Sequence, residues 1–159
     1  MSFVETYATD DAVALAARIR AKEVSPREAV AAAFAAIDRV DPALNAVIMR
    51  MEAQAEEQLA ALDRLDPAAT PLYGVPVLLK DDCQSYAGVP SANASRLAAG
   101  FTRDYDTEIM ARYRKAGVIV VGKTNLPEYG SNATTEPVAN GPTHNPWKHG
   151  FSVGGSSGG

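Results

Sequence analysis

Four consecutive β-branched residues, Val118-Ile119-Val120-Val121, constrain the fold more than any other stretch of this chain. Two heavy atoms on each Cβ restrict χ1 and favour an extended backbone. A run with no polar alternation has no face to offer water, which predicts a strand buried on both sides. Such a strand needs covering layers. Asp106-Thr107-Glu108 opens a helix whose Ile109, Tyr113 and Ala116 are expected to face inward, and Gly117 stops it. Tyr73-Gly74-Val75-Pro76-Val77-Leu78-Leu79-Lys80 reads as a second buried strand that ends in a charge.

Upstream the pattern is helical. Over residues 10–22, Ala12, Leu15, Ala16 and Ile19 recur at helical spacing, with Thr9 or Asp10 placed to cap the free amides. A second helix starts at Ser25-Pro26-Arg27-Glu28, where serine caps, proline fits the first turn and Glu28 can reach back. Ala29, Ala33, Phe34 and Ile37 form its apolar face, and Asp41-Pro42 is expected to end it. Asn45 to Met49 suits a short strand and Ala53 to Leu65 a third helix, whereas residues 83–105 and 127–159 are irregular and loop-rich. The expected class is α/β: a mixed β-sheet flanked by helices, with residues 1–66 as a helical N-terminal layer and 67–159 as the sheet-forming part.

Composition narrows the function. With 47% hydrophobic residues, 159 positions suffice for one core-forming domain. Fifteen basic against nineteen acidic residues leave no positive surface for nucleic acid or an anionic membrane. A single cysteine excludes an intrachain disulfide and fits a reducing compartment. Two histidines and that cysteine are too few for a zinc site, so no metal or cofactor is expected. No apolar run reaches the eighteen or so residues of a membrane helix, and Met1 to Thr6 lacks the basic and apolar regions of a secretory signal. A cytoplasmic protein is the expectation; its oligomeric state is not legible. Cys83 is expected as a buried structural thiol, Trp147 as a loop anchor on the core, and His144 and His149 as surface or packing residues.

Gly117-Val118-Ile119-Val120-Val121-Gly122-Lys123-Thr124 matches the phosphate-loop pattern. The match is rejected on physical grounds. A phosphate loop must curl until successive N–H groups converge on an anion. Val-Ile-Val-Val prefers the opposite, and Leu126-Pro127 interrupts the helix that should follow. A core strand ending in a turn is the better reading.

Two features remain: Lys80 closing an apolar strand, and the run Gly154-Gly155-Ser156-Ser157-Gly158-Gly159. Between them stand Ala116 to Asn125, Pro127-Glu128, Thr134-Thr135-Glu136-Pro137 and Asn145-Pro146-Trp147. In order and spacing these blocks resemble the amidase signature family over nearly the whole chain, most closely the branch that contains 6-aminohexanoate cyclic-dimer hydrolase. The resemblance implies an amide-bond hydrolase with a lysine–serine–serine triad that works through an acyl-enzyme on small amides. Lys80 would be the base. Ser156 would be the bridging serine, joined to Gly155 by a cis peptide bond, with Ser157 in support and residues 128 to 133 lining the acyl site. The nucleophile and the oxyanion amides would lie downstream of Gly159, so the chain alone is expected to be inactive. The amidase-type component of tRNA-dependent amidotransferases shares these motifs and remains an alternative.

The residues themselves suit that chemistry. A lysine amine, with an ordinary pKa of about 10.4, needs roughly 4.6 kcal/mol to lose its proton at pH 7. Burial among apolar groups offsets a penalty of that size, and Val77, Leu78 and Leu79 precede Lys80. A hydroxyl both donates and accepts, so Ser156 can relay a proton. Asp82 opposes this arrangement, because residues two apart on a strand share a face. The irregular stretch that follows is expected to bend the chain and turn Asp82 away.

Overall fold

A computed structural model describes Phe3 and residues 7–159; the N-terminal positions 1, 2 and 4–6, where the signal-peptide reading falls, lie outside it. The elements are α1 (Ala12–Arg20), α2 (Pro26–Leu44), β1 (Val47–Arg50), α3 (Glu52–Leu62), β2 (Pro76–Lys80), α4 (Glu108–Ala116) and β3 (Ile119–Thr124). Single 3-10 turns occur at Tyr7–Thr9, Arg96–Ala98 and Glu128–Gly130. The strands form one sheet in the order β1-β3-β2. β1 runs antiparallel to β3, pairing Val47 with Thr124 and Met49 with Lys123 across a bulge. Val75 O accepts from Ile119 N and Thr124 O from Asp81 N, so pairing advances in one direction along β2 and β3. The sheet is therefore mixed, as the alternation of helices and strands implied.

The chain divides into two compact units that interleave in sequence. One comprises Met1–Arg39, Met51–Val77 and Arg112–Val121, the other Val40–Arg50, Leu78–Ala111 and Gly122–Gly159. The first has an apolar interior. Val30, Ala33, Ala55, Leu59, Leu62, Ile119 and Val121 form one cluster; Leu15, Ala16, Ile19, Val24, Ala29 and Val75 form another. The first cluster joins helix residues to Ile119 and Val121 of β3; the second joins α1 and the start of α2 to Val24 and Val75. The second unit buries Leu79, Met110 and Leu126, but also Asp81, Ser85, Ser91, Ser95, Lys123, Asn125, Thr135 and Thr143. Its interior is held by directed polar bonds.

Three local expectations need correction. The cap of α1 is Asp11, whose carboxylate accepts from Ala14 N at 2.7 Å; Asp10 pairs with Arg18 instead. α2 runs through Asp41-Pro42 to Leu44. Proline removes one donor, and Asp41 supplies the exit: its carbonyl accepts from Asn45 N, and its carboxylate accepts from Ala46 N at 2.7 Å and Val47 N at 2.9 Å. Asn45 then takes the left-handed φ of +54° common just past a helix end. On α4, Met110 is fully buried while Ile109, expected inside, is exposed; Tyr113 and Ala116 are half-buried.

The capping box at α2 forms as the sequence predicts. Ser25 N and Oγ donate to Glu28 Oε2 at 2.8 and 2.7 Å, and Glu28 N donates to Ser25 Oγ at 3.1 Å. The backbone bond first, then the hydroxyl, holds the Glu28 carboxyl below its ordinary value. A lowered pKa means that its stabilisation is full above the unfolded-state value and is lost as pH falls through the folded one. Ser25→Ala should cost about 1 kcal/mol at neutral pH, as the loss of a helix cap does. The cost should shrink in acid, which urea unfolding at pH 7 and pH 3 would measure.

Candidate active site

β2 carries Lys80 to the edge of the polar unit between two buried neighbours, Leu79 and Asp81. The Lys80 side chain keeps 19% of its surface exposed. Beyond it the chain bends as expected: Asp82 N donates back to Lys80 O at 2.9 Å. The bend does not remove the carboxylate. This tight turn pivots on Asp81 and returns Asp82 towards the lysine, leaving Oδ2 3.5 Å from Nζ. The expectation that Asp82 points away is thus overturned.

Ser156 comes from the far end of the chain to the same place. Gly130 has φ +65°, and a Cβ built on it would lie 3.8 Å from Ser156 Oγ and 3.9 Å from Lys80 Nζ. Amine and hydroxyl therefore face one small space that a residue without a side chain leaves open. The peptide bond between Gly155 and Ser156 is cis. Gly155 has no room for a side chain, since a Cβ would come 2.5 Å from Asn132 O and 3.0 Å from Pro127 Cγ. Ser157 is exposed, and among the described residues it makes no hydrogen bond with Lys80.

Asn125 anchors the loop. It is fully buried; its Nδ2 donates to Gly141 O and Thr143 Oγ1, both at 3.0 Å, and its Oδ1 accepts from Asn140. Its carbonyl accepts from Gly159 N at 2.9 Å. Thr135 Oγ1 donates to Gly154 O at 2.6 Å. Alongside lies a cavity of about 330 Å³, lined in part by Pro127, Glu128, Ser131 and Asn132. It includes three of the residues in the 128–133 stretch given to the acyl site by resemblance.

The sequence reading missed Lys123 and Asp81. Lys123 is fully buried, with Nζ 3.0 Å from Asp81 Oδ1. A signal was present: a lysine inside a strand buried on both faces demands a buried counter-charge. Residues 119–124 form a paired strand, in keeping with the rejected phosphate loop. Cys83, expected inside, is exposed on the bend that follows Lys80. Trp147, expected as a core anchor, is 92% exposed. Its turn is held instead by Asn145, which accepts from Trp147 N and Lys148 N, so the indole has nothing to fasten. His144 and His149 stack on each other at 4.2 Å. Among the described residues no group of three His, Cys, Asp or Glu could hold a metal, and no helix is long and apolar enough to cross a membrane.

A mixed sheet that ends in a lysine, facing a serine on a glycine-shaped loop, defines a class also recognised by comparison. The Amidase family profile matches residues 28–159, and the chain belongs to the amidase family. The 6-aminohexanoate-cyclic-dimer hydrolase of Paenarthrobacter ureafaciens is 40% identical over the whole chain. The A-type component of glutamyl-tRNA(Gln) amidotransferase from Maridesulfovibrio salexigens is 38% identical over 90% of it. A solved structure of 6-aminohexanoate cyclic dimer hydrolase complexed with substrate superposes with a TM-score of 0.85 at 38% identity, covering 93% of this chain and 30% of that one. The chain spans about a third of the length of the curated relatives it matches, 31% and 29% for these two.

Proposed function

We propose that these residues furnish the proton-handling half of an amide-bond hydrolase that acts on small carboxamides, including ones like the cyclic 6-aminohexanoate dimer. The observation that carries this reading is the approach of Lys80 Nζ and Ser156 Oγ to one point above Gly130. Lys80, once neutral, takes the Ser156 proton while Ser156 takes that of a nucleophilic hydroxyl supplied by chain downstream. The nucleophile adds to the amide carbonyl, the relay runs backwards to protonate the departing amine, and water cleaves the resulting ester. Gly155 gives the loop its close seat, and Ser157, exposed and unbonded to Lys80 in this structure, must turn inward to support the relay.

The Lys80–Asp82 contact adds a competitor, since a carboxylate shares the amine with Ser156. The product of the complete reading frame, incubated with linear and cyclic amides, should release amine and leave a trapped acyl-enzyme visible by mass spectrometry. Asp82→Asn should raise turnover at pH 7 by up to about fivefold, the factor that a part-exposed ion pair is worth. Turnover that falls in Asp82→Asn, with no acyl adduct on any amide, would refute the reading. The 38% identity to an amidotransferase component favours a second one. In that case the product would release ammonia from glutamine and require partner proteins.

A further inference from the structure

Lys123 is the largest of the fully buried side chains. Its ammonium donates to Asp81 Oδ1 and to the carbonyl of Pro90. Asp81 Oδ2 accepts from Ala92 N at 3.2 Å, and Asp81 N donates to Thr124 O at 3.2 Å. Both charges of this cluster are therefore partnered inside the polar unit. A buried ion pair is a poor source of stability, because apolar residues of equal volume usually do as well. Direction is what an apolar pair does not supply.

The placement gives that direction a use. Asp81 is the residue after Lys80, so fixing its backbone and carboxylate fixes the strand end from which Lys80 projects. The same cluster holds Pro90 and Ala92, and the chain just beyond them holds the opposite wall. Asn93 O accepts from Tyr129 N at 2.9 Å, and Ser95 Oγ donates to Glu128 at 2.6 Å, beside Gly130. We propose that the buried Lys123–Asp81 pair is the positioning device of the site, setting Lys80 against the Gly130 turn and Ser156. This rests on the proposed role of Lys80 as base. Lys123 and Asp81 act through Lys80 and touch no substrate.

Lys123→Met alone strands the Asp81 charge and is expected to fold poorly, so the decisive variant is Asp81→Asn/Lys123→Met in the product of the complete reading frame. It removes both charges and keeps an acceptor for Ala92 N. Its thermal midpoint should stay near that of the parent. Its kcat should fall at least about tenfold with KM within about twofold, as misplacement of a reacting group does. A second readout is the rate at which a short pulse of an N-hydroxysuccinimide ester acylates Lys80, followed by mass spectrometry; it should rise several-fold. A folded double variant with parental labelling of Lys80 would overturn the proposal, whatever its activity. If Lys80→Ala kept full activity, the base assignment would fail by itself, and the labelling rate would still decide the positioning claim.

Discussion

Lys80→Ala in the product of the complete reading frame should lower turnover by about 10²–10⁴-fold while the thermal midpoint barely moves. The side chain is a fifth exposed and pairs with the part-exposed Asp82, so its removal leaves no buried group unsatisfied. What disappears is the amine that faces the space above Gly130. Lys80→Arg should not rescue, because a guanidinium keeps its proton at any working pH. Initial rates on one amide, with circular dichroism to confirm folding, make the check. Turnover within tenfold of the parent would remove Lys80 from the chemistry.

Gly158→Ala is the change with the largest expected effect on the loop itself. Gly158 holds φ +84°, a conformation that costs an L-residue about 1–2 kcal/mol. An added Cβ would also collide with Asn125 O and Leu126 Cα, backbone atoms that cannot rotate away. Overpacking of this kind adds about 1–3 kcal/mol. Asn125 is locked by Gly141, Thr143 and Asn140, so it is the serine loop that must move. Activity should fall with stability, and Ser156 should leave its place beside Gly130. Gly150→Ala is the control: φ is +89° there too, but nothing lies within 4 Å of a built Cβ. Urea unfolding and initial rates of the two variants separate backbone strain from collision.

The helices and strands were legible because each rests on a local rule. Apolar spacing gave the inward faces of α1 and α2, Ser25 and Glu28 gave a helix start, and four β-branched residues gave β3. Failures came where tertiary bonds overrode the local rule. Asp41 carries α2 past its proline by capping backbone that the helix pattern does not include. Lys80 and Ser156 were legible as residues, through the blocks around them. Asp82 was legible only as a threat, because whether a two-residue turn swings a carboxylate in or out depends on where Asp81 is anchored. That anchor is Lys123, forty-two positions away. Alternation and spacing carry no information over such a distance; charge balance inside a buried strand does.

The contrast between the two interiors sets how each half of the chain can drift. Where side chains meet as oil, a methyl group lost at one position can be regained at its neighbour, and the aliphatic residues around Val30, Leu59 and Ile119 can be reshuffled at constant volume. Around Asn125, Asp81 and Lys123 a partner must be answered atom for atom, so single changes there have few compensations. Natural variants should accumulate in the greasy half and spare the other, and a library made to harden this protein against heat is best drawn from the former.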